Sequence, residues 1–395
     1  MAVGLGVRWE ELFAARARDP GDEIAQIMAL AGRTDIISFC GGIPDPVTFP
    51  GDAVAAILLE IVQAGDSAAF QYAPTRGLPG FLDFLAARLG AGVEELAVTS
   101  GGVEALELLG KVFLDAGDEV AVEAPTYLAS IMSFETFGAR VAGVPMDGEG
   151  LDTDALEGLL AAGLRPKLLY TIPDFQNPTG LTLGAGRRAA LVELARRYGF
   201  LLVEDVAYRE LFFPGEGQPP TLRSLAPDAV LQIGTFSKTF CPGVRLGWAA
   251  GPAEIVDRLV WAKQTTDQCA GALGQRLVEE YGRRGLLDEQ LGRSRELYAR
   301  RARATLDALE RSLPPGTEWT RPRGGFFLWL TLGGGVDTSE LAARAMEEGL
   351  AFVPGAAFFA DGRGRDSLRL AFSRVTEEEI AEGLARLGRL VATGR

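Results

Sequence analysis

Residues 200–210 read FLLVEDVAYRE. The apolar run Phe200–Val203 stops abruptly at two carboxylates, Glu204 and Asp205. An apolar segment this short, ending in charge, reads as a strand hidden on both faces rather than as a helix. Working outward, six more runs share the pattern: ELAVT (95–99), EVAVE (119–123), ARVAGV (139–144), KLLYTI (167–172), AVLQIG (229–234) and RLGWAA (245–250). Amphipathic stretches such as VEALELLGKVFLDAG (103–117) and GRRAALVELARRYG (186–199) lie between most of them. Alternation of this kind predicts an α/β fold with a mostly parallel, seven-stranded sheet covered by helices. Ligands of such sheets bind beyond the carboxyl ends of the strands, so the residues just after each run are the candidates.

Beyond residue 270 the pattern changes. One long helical stretch, interrupted near Gly282 and Gly285, leads to strands at GGFFLWLTL (324–332), AFVPG (351–355) and SLRLAFS (367–373), with helices at 339–349 and 377–391. This predicts a smaller α+β domain. The expected division is an N-terminal arm at 1–50 covering the substrate, a large domain at 51–290 and a small domain at 291–395.

Composition removes several functions. Histidine is absent and the three cysteines, Cys40, Cys241 and Cys269, are far apart. That excludes imidazole bases, His-metal clusters and a Ser-His-Asp triad, and it predicts no metal centre. The odd cysteine count fits a reducing cytoplasm better than a disulfide framework. A net charge of −14 argues against a nucleic-acid face. The densest basic run, YARRAR (Tyr298–Arg303), reads as the exposed face of a long helix. No apolar run reaches the roughly 18 residues of a spanning helix, and the first residues lack the pattern of a secretory signal.

Two residue types are scarce. Only Lys111, Lys167, Lys238 and Lys263 are lysines, whereas 35 of the 39 basic residues are arginine. Asn177 is the sole asparagine. Lys238 lies in GTFSKTFCPGVRLGW (234–248). A lysine can lose its proton and form an imine, which arginine cannot do. Thr235, Ser237 and Arg245 beside it form a plausible anion cradle. SGGVEAL (100–106) adds free backbone N–H groups at a helix start, which favour a phosphate. Asn177 stands in PDFQNPTG (173–180), where a turn would accept Asp or Ser, so an amide that both donates and accepts has a reason to be there. Asp205 either caps a helix or meets a cation. An amine, a phosphate cradle and a carboxylate on separate strand ends suggest pyridoxal phosphate.

At this point the chain resembles a fold-type I, pyridoxal-phosphate-dependent aminotransferase of the α-aminoadipate/kynurenine type. Besides the segments quoted above, ISFCGGIPDPVTFP (37–50), QYAPTRGLPGF (71–81), EAPTYLAS (123–130), RPRGGFFLW (321–329), FVPG (352–355) and LRLAFS (368–373) occur in the family's order. The resemblance implies a transamination between an L-amino acid and a 2-oxo acid, with 2-oxoglutarate the expected acceptor, in a ping-pong cycle through a Lys238 Schiff base. A lyase, a decarboxylase or a specialised biosynthetic enzyme on the same fold is the alternative. A third reading, the effector part of a transcription regulator, would need an added DNA-binding domain ahead of Ile37.

The resemblance also implies roles. Lys238 would hold the cofactor as a Schiff base and then carry the substrate's Cα proton. Asp205 would face the ring nitrogen, Asn177 and Tyr208 the ring's phenolic oxygen, and Tyr127 the ring face. Gly101, Gly102, Val103, Thr235, Ser237 and Arg245 would hold the phosphate. Tyr72 would reach that phosphate from the neighbouring subunit of a homodimer. Arg369 would take the substrate α-carboxylate, with Asn177 and the Gly41–Gly42 backbone close by. Relatives often carry Ser and Gln where this chain has Gly102 and Val103, which shifts phosphate contact toward Thr235, Ser237 and Arg245. Relatives that accept acidic donors carry an arginine where DEIAQIMALAGR (22–33) has Ala25. A broader or apolar donor, such as leucine, methionine or an aromatic amino acid, gains weight.

Overall fold

All seven apolar runs are strands in the computed structural model, which describes residues 8–17 and 23–393. Residues 1–7 and Asp22, which the signal-peptide and first-helix readings touch, lie outside those described. The first strand, β1 (Ile37–Ser38), pairs with a late strand introduced below. The central sheet follows: β2 (Leu96–Thr99), β3 (Glu119–Ala124), β4 (Arg140–Asp147), β5 (Gly150–Leu151), β6 (Pro166–Thr171), β7 (Leu201–Asp205), β8 (Val230–Thr235) and β9 (Gly247–Ala250). Their order is β2-β9-β8-β7-β6-β3-β4-β5. The expected seven strands are therefore extended by an eighth, β5. It folds back on β4 after the turn that follows Asp147 and makes an antiparallel pair of two residues.

The sheet is buried on both faces, and the strands alternate between two cores. Val120, Leu168, Tyr170, Val203, Leu231 and Ile233 join one. Ala121, Leu169, Leu202 and Val230 join the other. This explains why the strands read as continuous apolar runs. On the second face the helices Thr153–Ala161 and Ala185–Tyr198 supply Leu156, Leu160, Leu191 and Leu194.

Strands β3, β4, β6, β7 and β8 are mutually parallel, while β9 runs against its neighbours β8 and β2. The reason lies in the β8–β9 connection, Phe236–Leu246. A parallel return needs a crossover of about a dozen residues or more, usually a helix. This connection contains only a short 3₁₀ turn, Pro242–Val244, so β9 must return beside β8. The segment carrying Lys238 is thus held at the carboxyl end of β8 by hydrogen bonding at both of its ends.

The long helical stretch breaks where expected, between the helices Ala272–Arg283 and Leu286–Ser312, with Gly285 in the left-handed region. The small sheet has order β10-β11-β14-β13, from β10 (Glu318–Trp319), β11 (Phe327–Thr331), β13 (Val353–Pro354) and β14 (Ser367–Ala371). Between them β12 (Leu350–Ala351) takes β1 in parallel. The core under this sheet draws only on Ile37, Phe39 and residues from Ala304 onward. The helices Thr338–Glu347 and Glu377–Thr393 cover it through Leu341, Ala345, Ile380, Leu384 and Leu387.

One basic-run reading needs correction. Arg300 and Arg303 are exposed, but Arg301 is buried. Its guanidinium donates to Asp45 Oδ2 at 2.6 Å and to the Ser373 carbonyl. Helical spacing places Tyr298 and Arg301 on the inward face together.

Candidate active site

A cavity of about 270 Å³ opens at the carboxyl ends of the parallel strands. Loops after β2, β3, β6, β7 and β8 line it, together with the small sheet and the N-terminal helix Glu23–Gly32. Gly42, Gly102, Val103, Tyr127, Asn177, Asp205, Tyr208, Thr235, Ser237, Lys238, Arg245 and Arg369 all face this one space. Of the site residues singled out in the sequence, Gly101 and Tyr72 are not among the lining: Gly101 lies just behind Gly102, and Tyr72 stands apart. It is 75% exposed and does not line its own chain's cavity.

Lys238 donates from Nζ to the Gly42 carbonyl at 2.7 Å and lies 5.9 Å from the centre of the Tyr208 ring. Burial pushes its ammonium down to about 8, helped by the Arg369 and Arg245 charges and opposed by Asp205. The sequence showed no acid near it; in space Asp205 is the carboxylate that acts on it.

Asp205 ends β7. Strand alternation sends it toward the cavity and sends Glu204 to the opposite face, where Glu204 accepts from the Leu222 and Arg223 amides and from Gln232. Asp205 is no helix cap. Its Oδ1 accepts from the Ala207 amide at 2.9 Å and its Oδ2 from the Tyr170 hydroxyl at 2.7 Å. Burial still raises its pKa, the two hydrogen bonds offsetting only part of the cost. Such a carboxylate lacks a full cationic partner, and a protonated pyridine nitrogen would supply one.

Arg369 lies on β14 opposite Trp329 and is 5% exposed. Its guanidinium sits over Phe327 at 4.6 Å and Phe358 at 4.9 Å. It donates to Asn177 Oδ1 at 2.9 Å and to the Cys40 carbonyl. Its Nε is buried with no partner. Burial pushes this cation down to about 10. A buried guanidinium between two aromatic rings, with no carboxylate paired to it, is built to receive one. Asn177 spends its oxygen on Arg369, which leaves Nδ2 to donate; the Tyr208 hydroxyl lies beside it.

The end of the cavity where the sequence places a phosphate is shaped by backbone. Gly101 has φ +106°, and an added Cβ would come within 2.8 Å of Arg245 Nη2. The helix Gly102–Phe113 begins there with its free N–H groups toward the cavity mouth. Arg245 donates to the Ser100 carbonyl at 3.1 Å and itself has φ +51°. Thr235 Oγ1 and Ser237 Oγ are 3.0 Å apart. At Gly102 an added Cβ would meet nothing closer than 3.8 Å, so the missing hydroxyl of this chain is a matter of sequence and not of space. These residues fit a phosphorylated pyridine: a cradle for the phosphate, a buried carboxylate deep in the cavity and an amine beside it.

Several contributors were not visible in the sequence. Tyr170, inside KLLYTI, reads as core but holds Asp205. Phe327 and Phe358 read as core but sandwich Arg369. Ile24, Ile27, Met28, Ile43 and Leu128 make the remaining wall apolar. Ala25 does not line the cavity, and Arg33 is bonded to Asp35. Behind the Asn177 loop, Glu123 accepts from Thr171 Oγ1 at 2.5 Å and from Gln176 Nε2 at 2.9 Å, and burial raises it to about 7.

Comparison with known proteins gives a consistent picture. The family model described as "Aminotransferase class I and II" matches residues 34–387. The 2-aminoadipate transaminase of Thermus thermophilus is 42% identical over 96% of this chain and 96% of its own. The aromatic-amino-acid aminotransferase 1 of Thermococcus litoralis is 37% identical over 97% of this chain and 94% of its own. Among solved structures, the α-aminoadipate aminotransferase of Thermus thermophilus complexed with N-(5′-phosphopyridoxyl)-L-leucine superposes with a TM-score of 0.92. It is 40% identical and covers 98% of this chain and 99% of its own.

Proposed function

Because the chain belongs to the class I and II aminotransferases and uses pyridoxal 5′-phosphate, we propose that it moves the amino group of an apolar L-amino acid to a 2-oxo acid, 2-oxoglutarate first among them. Transamination itself follows from the family. The choice of donor rests on one observation: apart from Arg369, which would hold the α-carboxylate, the cations of the cavity are Lys238 and Arg245. The wall left for a donor side chain is Ile24, Ile27, Met28, Ile43 and Leu128. Among the described residues an acidic side chain would find no free cation there, whereas leucine, methionine or an aromatic ring would be desolvated by apolar contact. The leucine-derived ligand of the solved neighbour supports the same choice.

The residues then divide the work. Bound pyridoxal phosphate supplies an electron sink that acidifies the donor's Cα–H bond. Arg369 fixes the α-carboxylate and so orients that bond. Lys238, its amine already inclined to give up a proton, takes the Cα proton at Nζ and returns it on the other side of the exchange. Asp205 holds a proton on the ring nitrogen. Asn177 Nδ2 and the Tyr208 hydroxyl hold the ring oxygen, Tyr127 covers the ring face, and Gly101–Val103, Thr235, Ser237 and Arg245 seat the phosphate.

Residues 1–50 form the covering arm, 51–290 the cofactor-holding domain and 291–395 the small domain in this reading. The active unit is a homodimer. Leu59, Val62, Phe70 and Tyr72 are exposed side chains within one short stretch, and Trp261 is exposed as well, which suits a buried subunit interface. Tyr72 would then reach the partner's phosphate. No described helix is long and apolar enough to cross a membrane, and the free Cys40, Cys241 and Cys269 suit a reducing cytoplasm.

The test is a half-reaction screen. The loaded protein is mixed with single amino acids and the absorbance of lysine-bound cofactor is followed. Leucine, methionine, phenylalanine or tyrosine should discharge it faster than glutamate or aminoadipate; the reverse order overturns the apolar-donor reading. Release of ammonia and pyruvate with no oxo-acid acceptor would point to a lyase instead.

A further inference from the structure

Of the four lysines only Lys263 is fully buried, at 0% exposure. It ends the helix Ala253–Lys263. Its Nζ lies 2.7 Å from both Glu104 carboxylate oxygens and 2.7 and 2.8 Å from the two of Asp267. Neither carboxylate stops there. Glu104 Oε2 accepts from the Ser100 amide at 2.5 Å, and Asp267 Oδ2 accepts from the Ser100 hydroxyl at 2.6 Å. The Ser100 carbonyl in turn accepts from Arg245 Nη2. A continuous polar chain therefore runs from Lys263 through both carboxylates to Ser100 and Arg245, behind the Gly101–Val103 turn. Lys111 ties the same two helices together. Its Nζ donates to the Ala262 carbonyl at 3.2 Å and to the hydroxyls of Thr265 and Thr266 at 2.7 and 3.1 Å.

We propose that Lys263 is a positioning residue for the cofactor phosphate: its ammonium offsets one of the two carboxylate charges of Glu104 and Asp267, keeps Ser100 anchored and so lessens the repulsion that a dianion on the turn would meet. The inference rests on the assignment of Gly101–Val103 and Arg245 as the phosphate seat. Glu104 occupies the first turn of the helix that begins at Gly102, the end where a helix favours negative charge. There it competes with the phosphate for the same field. Two carboxylates without their ammonium would repel the phosphate across the turn. An ammonium is the right shape for the task. It is a compact charge that can donate to two carboxylates at once, whereas a planar guanidinium is larger and this site has no exposed volume to give. A chain that writes arginine almost everywhere has a physical reason to keep lysine here.

The experiment compares dissociation constants of pyridoxal 5′-phosphate and of pyridoxal for the apoprotein, by absorbance titration. The ratio isolates the phosphate. Lys263→Gln should lose pyridoxal 5′-phosphate affinity on the order of tenfold, the size of a lost charge-assisted interaction, and pyridoxal affinity by no more than about twofold. Adding Glu104→Gln in that background removes one repelling charge, keeps an acceptor for the Ser100 amide, and should restore part of the ratio. Equal losses for both ligands, or an unchanged ratio, overturn the proposal. Should Lys263→Gln fail to fold, Ser100→Ala breaks the same chain at a half-exposed hydroxyl, and an unchanged ratio there overturns it equally. Arg245→Gln is the control. If it leaves the ratio unchanged, the phosphate seat itself is misassigned; if it raises the ratio of the pyridoxal 5′-phosphate constant to the pyridoxal constant while Lys263→Gln does not, the Lys263 proposal alone has failed.

Discussion

Lys238 and Lys263 are both drawn away from water on either side of the Gly101–Val103 turn, yet their surroundings are opposite. Lys263 is saturated by two carboxylates within 2.8 Å. Lys238 donates to one neutral carbonyl and faces the charges of Arg369 and Arg245, with Asp205 acting against them. The first environment surrounds the amine with negative charge, and the second weakens the hold of the amine on its proton. Side-chain identity alone says nothing about which of these a lysine will do; the sign of the charges packed against it decides. The same chemistry that makes one lysine a counterion makes the other a base.

The comparison can be broken most directly at Lys238. Lys238→Arg keeps the positive charge and removes the titratable amine. Turnover should fall by at least about 10³-fold, in line with losing a positioned proton carrier, and the absorbance of lysine-bound cofactor should vanish. Appreciable turnover in this variant would mean that charge, not deprotonation, is what the site needs. Asp205→Ala comes next. It should retain bound cofactor yet react more slowly by roughly 10²- to 10³-fold, measured as the single-turnover rate with a good donor, because the ring nitrogen loses its proton holder. Arg369→Leu should lower kcat/KM for amino acids by roughly 10²-fold, the loss of a charged, two-pronged contact, while cofactor affinity stays unchanged.

The smallest effect sharpens the contrast most. Burial, then Arg369, lowers Lys238 to about 8 from its ordinary 10.5. A lowered amine pKa means that the reactive neutral form appears earlier as pH rises. The rate at which apoprotein takes up pyridoxal 5′-phosphate should therefore climb with pH and level off above about 8. In Arg369→Leu, with one opposing charge gone, the plateau should move upward; stopped-flow absorbance across pH checks both. A plateau near the ordinary lysine value in the wild-type chain would mean that the surroundings of Lys238 do not lower it.

Much of this was legible before the fold. The seven main strands were readable because burial on both faces leaves apolar runs with abrupt polar ends, as in FLLVED. β5 and β10 escaped because two-residue strands carry no period. In the site, Lys238 and Asn177 were conspicuous because this chain otherwise avoids their types. Tyr170, Phe327 and Phe358 were not, because an aromatic residue that holds an active-site group looks in sequence like one that fills a core. The Lys263 cluster was illegible for a different reason: Glu104 lies 159 positions away, and only the fold brings it to the ammonium. The burial of Arg301 against Asp45, 256 positions earlier, escaped in the same way.

The N-terminal segment after β1 carries one more implication. The Cys40 carbonyl binds Arg369 and the Gly42 carbonyl binds Lys238, two residues apart on one extended strand of chain. At Gly42 a side chain could not be accommodated, since a Cβ there would lie 2.4 Å from the Phe327 ring. The backbone thus acts as a tenant that keeps both cations solvated by protein until a reactant arrives. A carboxylate arriving at Arg369 would exchange with a carbonyl already in position instead of stripping water from a bare guanidinium. A ligand that displaced the Cys40 carbonyl from Arg369 would therefore act on the same short stretch of main chain that holds Lys238.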